Sequence, residues 1–234
     1  MKPYQKIPIQ ECGEPLVSIP LEKYAVENPH PYEKLGAEYG NRSPYCLRQG
    51  VVEALEMAQS LLNKSHPGWK LKIYDAYRPL GVQQFMIDYT FNSLLEKHHL
   101  TPNTVSAQQR QNFWEQVYQL WAAPSVDPKT PPPHSTGSAL DLTIVNSYNK
   151  TIDMGGAIDE LSERSYPDYY QDSKQLIKQQ YHRHRQLLDR VMTHAGFMRH
   201  PKEWWHFSLG DQMWAWLYNQ QHPEKTVQAR YGRI

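Results

Sequence analysis

The chain is short of cysteine. Cys12 and Cys46 are the only two in 234 residues, too few for a disulfide scaffold, and no CxxC pair supplies a thiolate metal knuckle. Whether these two pair with each other is left open by the sequence. No apolar run approaches the length needed to cross a bilayer. The opening MKPYQKIPIQECGEPL has no hydrophobic stretch behind its lysines and no small-residue cleavage site, so it does not read as a secretory leader. Basic stretches never exceed a few residues and the formal net charge is +1, which disfavours nucleic acid as a partner. Repeats and low-complexity tracts are absent. These absences predict a cytoplasmic protein with reduced thiols and neither a nucleic-acid nor a membrane partner, and they leave the oligomeric state unread.

What the chain does have is aromatic weight, with 16 Tyr and 7 Trp, and enough length for one large domain with a substantial core. Residues 1–45, rich in Pro, Tyr and Gly, read as an irregular arm. A helix is predicted over residues 47–64, with Val51, Leu55, Ala58 and Leu62 on one stripe. LKIYDAY, residues 71–77, reads as a strand ending at Arg78-Pro79, where a helix should begin because proline suits a first turn. A second amphipathic helix over 106–122 turns Phe113, Val117, Leu120 and Trp121 inward. A long polar helix over 171–195 stops at Gly196, the expected left-handed cap. Residues 218–234 look like a polar tail. Strands and helices come in blocks rather than strict alternation. The predicted class is therefore α+β, a single domain over 1–234 with a mainly antiparallel sheet covered by helices.

Chemistry concentrates in PPPHSTGSALDLTIV, residues 131–145. His134 and Asp141 lie seven residues apart, which is about 10 Å of helix rise or roughly 23 Å of strand. Neither brings both side chains to one centre, so they converge only if the chain doubles back, and Ser135-Thr136-Gly137-Ser138 is turn-forming sequence. LDLTIV then reads as a strand. The pair makes half of a metal site; a surface histidine beside a turn, with Asp141 capping or pairing, is the plainer alternative.

Glu203-Trp204-Trp205-His206-Phe207 offers the remaining groups. A hydrolytic zinc takes three His, Asp or Glu ligands and keeps a fourth position for water. His134, Asp141 and His206 would form that set, with Glu203 beside the water as proton acceptor and later donor to the leaving amine. Trp204, Trp205 and Phe207 would wall the site. The segment could equally be an aromatic core strand. On an ideal strand Glu203 and His206 face opposite ways, so their cooperation needs a twist, a bulge or Glu203 in the lead-in loop. HExxH is absent. His182, His184, His194 and His200, on or just past the polar helix, read as solvated.

HSTGSALD together with EWWHF resembles the D-alanyl-D-alanine dipeptidase family, zinc peptidases that include the vancomycin-resistance dipeptidase. That family shares its fold with other peptidoglycan D-peptidases and the hedgehog signalling domain. Its pattern is SxHxxGxAxD plus ExxH, and Gly137, Ala139 and Asp141 fall in register behind His134. The resemblance implies one Zn²⁺ per chain on His134, Asp141 and His206, with Glu203 as general base and a small D,D-dipeptide as substrate. YDAYRP, residues 74–79, is similar to the family's strand-end motif, which implies Arg78 at the oxyanion, where a fixed guanidinium suits growing negative charge. Without the family, an Asp75–Arg78 surface pair is the reading. DMGGAIDELSERS, residues 153–165, resembles the loop that holds the substrate amine, with Asp159 in register and Asp153 and Glu160 as rivals. KYAVEN similarly implies Tyr24 as a pocket residue. The resemblance runs from Leu21 to Leu217 and departs at Pro132-Pro133, where relatives carry serine; proline offers neither hydroxyl nor N–H, which bears on substrate preference. The alternatives are a D,D-carboxypeptidase or endopeptidase acting on longer wall peptides, and a zinc-stabilised binding module that would have lost Glu203 or Arg78.

Overall fold

The computed structural model describes residues 2–234. In chain order they form β1 (Leu16–Ser18), β2 (Ala25–Val26), α1 (Pro31–Lys34), β3 (Cys46–Arg48), α2 (Gln49–Ser65), β4 (Lys70–Asp75), α3 (Leu80–Lys97), α4 (Ala107–Leu120), β5 (Ala139–Val145), α5 (Leu176–His194), β6 (Met198–Arg199), β7 (His206–Ser208) and α6 (Gln212–Gln221). The main sheet runs β2-β4-β5-β7-β6. Only the β2–β4 pair is parallel; β1 and β3 form a separate antiparallel pair. The α+β class and the mainly antiparallel sheet are as predicted.

Local sequence explains the elements. In β4 burial alternates, with Leu71, Ile73 and Asp75 inward. The α2 stripe of Val51, Leu55, Ala58 and Leu62 is wholly buried, each of its two leucines contributing about 1.5–3 kcal/mol by leaving water. Those residues meet Leu140, Leu142 and Ile144 of β5 and Leu188, Val191 and Met192 of α5 in the principal core. A second cluster joins α3 and α4 through Ile87, Phe91, Phe113, Val117 and Trp121. Ser106 caps α4: its Oγ accepts from the Gln109 amide while the Gln109 side chain accepts from the Ser106 amide. Gly196, at φ +98°, ends α5 as expected.

Several expectations are corrected. Residues 46–48 are strand, so α2 begins at Gln49, and α5 begins at Leu176 rather than 171. The arm is not merely irregular: it supplies β2 to the main sheet and β1 to β3. Residues 218–234 are no loose polar tail. Ala229 and Tyr231 are fully buried, Ile9 and Ala229 form a bridge, and Arg48 donates to the Gly232 carbonyl at 3.1 Å. Their burial comes from contacts distant in sequence, which no local periodicity announces. Both cysteines are free thiols, Cys12 exposed and Cys46 buried. No helix among the described residues is long and apolar enough to cross a membrane.

Candidate metal centre and cleft

Strand register builds the centre. Asp141 on β5 lies directly opposite His206 on β7, and on its other side opposite Asp75 of β4, where a bulge between Ile73 and Asp75 restores the alignment. Cross-strand partners point to the same face, so Asp75, Asp141 and His206 form a row across three strands. His134 arrives from a 3₁₀ turn, Pro133–Thr136, that Pro132 and Pro133 pre-set and that ends at Gly137, φ +70°. Glycine suits that left-handed φ, and a Cβ there would also press on Leu16 Cδ1 at 2.6 Å. His134 is therefore on a helical turn rather than at a strand end, and Asp141 is the third residue of its strand.

Three donor atoms converge. His134 Nε2 is 3.3 Å from His206 Nδ1 and 3.2 Å from Asp141 Oδ2, and His206 Nδ1 is 3.0 Å from Asp141 Oδ1. Ligand atoms held about 2.0–2.1 Å from a tetrahedral zinc are about 3.3 Å apart, so this set fits the ion. The tautomer agrees. His134 Nδ1 lies 2.7 Å from the Ala76 carbonyl, which can only accept, so Nδ1 carries the proton and Nε2 offers its lone pair inward. On His206 the inward atom is Nδ1, while Nε2 is buried without a partner among the described residues. Burial alone would raise the Asp141 carboxyl, but the two histidines hold it far below the ordinary carboxylate range.

Glu203 is in the turn before β7, the lead-in position that lets it share a side with His206; its Oε2 lies 3.8 Å from His206 Nδ1. Burial pushes its carboxyl up to about 8, against the pull of His206. Trp204 and Trp205 are likewise in that turn, with only Phe207 in the strand, and all three are buried. His200, read as solvated, has its ring 5.5 Å from that of His206 and Nδ1 3.6 Å from Glu203 Oε1. Burial and then the neighbouring His206 hold it well below its ordinary pKa. His184 is tied to the Asp153 carbonyl, His182 is half-buried, and His194 is exposed. A cleft histidine that directly follows a strand carries no motif, which is why the sequence hid His200.

Arg78 is buried, not a surface partner of Asp75. Its Nε and Nη2 donate to Asp75 Oδ2 at 2.9 and 2.6 Å, Nη1 to Gln83 at 3.0 Å, and Nη2 also to the Tyr32 hydroxyl at 3.2 Å. Its guanidinium lies over the Trp121 ring at 4.8 Å. Burial would lift Asp75, but Arg78 and then His30 hold it down at about 2.

A cavity of about 390 Å³ gathers His134, Asp141, His206, Glu203, Arg78 and Asp159 on one surface. Of the four acids in the 153–165 loop, Asp153, Asp159, Glu160 and Glu163, only Asp159 reaches it. Glu160 is taken up by the Ala157 amide, Ser162 and Arg164, and Asp153 by the Gly155 amide. Asp159 sits at φ +62° and accepts from the Tyr32 hydroxyl at 2.8 Å. Burial and then the Asp141 charge push it up to about 7. Arg185 grips the loop from behind, donating to the carbonyls of Met154, Arg164 and Tyr166. Tyr24 does not join the cavity. It is a buried member of the principal core, just before β2, with its hydroxyl unpartnered among the described residues.

A family model described as D-ala-D-ala dipeptidase matches residues 25–228. The D-alanyl-D-alanine dipeptidase of Synechocystis sp. is 50% identical over 240 residues, covering 100% of this chain and 97% of that protein. The Escherichia coli protein of the same name is 30% identical, over 70% of this chain and 66% of its own. That of Enterococcus faecium is 26% identical, over 69% and 75%. Among solved structures, the LdcB LD-carboxypeptidase is 15% identical, covering 91% of this chain and 75% of that one, with a TM-score of 0.47. The vancomycin-resistance D,D-pentapeptidase VanY, solved with Zn(II), is also 15% identical, covering 86% and 93%, with a TM-score of 0.45.

Proposed function

The chain belongs to the D-Ala-D-Ala dipeptidase family, and from that premise we propose that it is a zinc-dependent D,D-dipeptidase cleaving D-Ala-D-Ala or a close relative. The observation that carries the reading is the convergence of two histidines and an aspartate beside Glu203, in a cleft that Arg78 and Asp159 also line.

His134, Asp141 and His206 would hold one zinc ion, which supplies Lewis-acid polarisation of the scissile carbonyl and acidifies water. Glu203 takes the proton from the attacking water and returns it to the leaving amine, a shuttle that needs the carboxylate form at the outset. Arg78 faces the oxygen on which negative charge grows. Four of its five N–H groups meet Asp75, Gln83 and Tyr32, with Nη2 also 3.4 Å from Asp141 Oδ2, and one Nη1 hydrogen is uncommitted for that oxygen. Asp75 keeps the guanidinium from swinging away. Asp159, on the same cavity, takes the substrate's terminal ammonium.

Past Lys202 and Glu203 the cleft adjoins a second cavity of about 400 Å³ lined by Gln116, Glu160 and Tyr166. That space favours longer wall peptides as the second reading. A four-member panel separates the two: D-Ala-D-Ala, L-Ala-L-Ala, N-acetyl-D-Ala-D-Ala and a muropeptide, each with and without chelator. The proposal expects hydrolysis of the first alone, abolished by chelation and restored by Zn²⁺; equal turnover of the acetylated dipeptide or the muropeptide would sink it. A cytoplasmic location belongs to the same proposal, and cell fractionation tests it.

A further inference from the structure

The first described residues close one side of the metal cleft. A 3₁₀ turn, Pro3–Lys6, places Lys2, Pro3 and Tyr4 on the cavity that holds Glu203 and the three donor atoms. The turn is fastened there. Gln212, buried at the start of α6, donates from Nε2 to the carbonyls of Gln5 at 3.3 Å, Ile7 at 2.7 Å and Lys129 at 2.9 Å. The region matched by the family model begins at residue 25, so this wall lies outside it.

The polar groups of the cleft divide by position. Arg78 and Tyr32 are gathered around Asp159 at one end. Lys2 and Tyr4 line the cavity with His200, Lys202 and Glu203, and both feel the Glu203 charge, although Glu203 feels Asp159 as well as Lys2. Lys2 and Lys202 both line the cavity, and neither ammonium makes an ion pair or hydrogen bond among the described residues. Tyr4 is buried as a whole, but its hydroxyl is not enclosed and forms no hydrogen bond among the described residues. Pro133, on the same cavity, can donate nothing.

Reaction chemistry orients the substrate in this layout. Glu203 returns its proton to the leaving amine, so the leaving residue lies on the Glu203 side, with its free carboxylate two bonds from that nitrogen. A carboxylate there needs donors, and the cleft has an uncommitted ammonium and an uncommitted hydroxyl at that end. We propose that Lys2 and Tyr4 form the subsite for the free carboxylate of the leaving residue, the ammonium pairing with it and the hydroxyl donating to it. The arm thereby makes the enzyme a reader of chain ends on both sides, Asp159 for the amine and Lys2 with Tyr4 for the acid. This rests on the dipeptidase reading above.

The test uses the zinc-loaded full chain with Lys2→Gln, Tyr4→Phe and Lys202→Gln, each conservative in shape, against D-Ala-D-Ala and its C-terminal carboxamide. The wild type is expected to prefer the acid over the amide in kcat/KM. Lys2→Gln and Tyr4→Phe should each cut that preference by about tenfold or more, the value of a charge-assisted hydrogen bond, with the loss on KM. An unchanged preference in both variants, equal losses on acid and amide, or a loss confined to Lys202→Gln would overturn the subsite while leaving the dipeptidase reading intact. A wild type inactive on the dipeptide would overturn that reading and the subsite together.

Discussion

The two sides of the cleft are built differently. One side is carried on strands: Asp141 and His206 are register partners in adjacent ladders, and His134 is held by the Ala76 carbonyl. The other side is carried on loops. Asp159 rides a segment clasped by Arg185, and Lys2 with Tyr4 rides an arm clasped by Gln212. Moving a strand residue means breaking a ladder, whereas a loop changes shape at little cost to the core. The proposed metal ligands Asp141 and His206 therefore sit where position is over-determined, and the groups proposed to read the substrate's ends sit on loops.

Loss of Glu203, in the turn that leads into the strand side, should be the most severe. Glu203→Gln is expected to keep zinc at full stoichiometry by metal analysis while kcat falls about 10²–10⁴-fold, the usual worth of a positioned proton shuttle. A well-folded variant with near-normal turnover would show that another group is the base. In the wild type the acid limb of kcat should rise with pH as Glu203 loses its proton. Burial places that limb above the ordinary carboxylate value of 4.5 and no higher than about 8, because a bound cation only favours the charged form.

Breaking the loop side should cost affinity before rate. Asp159→Asn is predicted to raise KM for the free dipeptide about tenfold and to erase discrimination against the N-acetylated dipeptide, with the smaller change in kcat. Burial pushes the Asp159 carboxyl up to about 7, so wild-type KM should climb as pH falls below 7 and the ammonium loses its counter-charge. If KM stays flat from pH 8 to pH 5.5, Asp159 is not the amine's partner.

The smallest effect is expected where the arm is tied down. Glu14 Oε2 accepts from the Gly50 amide and the Tyr231 hydroxyl, both at 2.8 Å. Burial raises that carboxyl, but these two donors, with Arg230 and Arg48, lower it further. The sign follows: its contribution is complete above the ordinary carboxylate range and fades as acid protonates it in the folded state. Glu14→Gln should cost about 0.5–1.5 kcal/mol in thermal or urea unfolding at neutral pH, with the gap from wild type narrowing in acid. A gap that widens in acid would contradict the assignment.

The same contrast explains what could be read without coordinates. His134, Gly137 and Asp141 come as one spaced motif because a 3₁₀ turn and a strand follow each other locally, and the α2 stripe shows through its 3.6-residue period. The arm and the residues after α6 have no such signature. Tyr231 is buried by Arg48 and Glu14 and Ala229 by the segment around Ile9, partners far away along the chain. Tyr24 had a neighbourhood similar to the family's but points into the core. Lys2 reaches the cleft through folding alone, and His200, three residues before Glu203, has nothing in that spacing to mark it as a cleft group.

The bridge between Ile9 and Ala229 joins positions 220 residues apart. Closing so large a loop is entropically dear and slow relative to pairing β4 with β5. During synthesis on a ribosome, the backbone of residues 9–12 cannot pair with residues 229–230 until nearly everything up to position 230 has emerged, although Glu11 can meet Arg48 earlier. The ligand-bearing ladders can zip up before then, so one rim of the mouth is the last part to be finished.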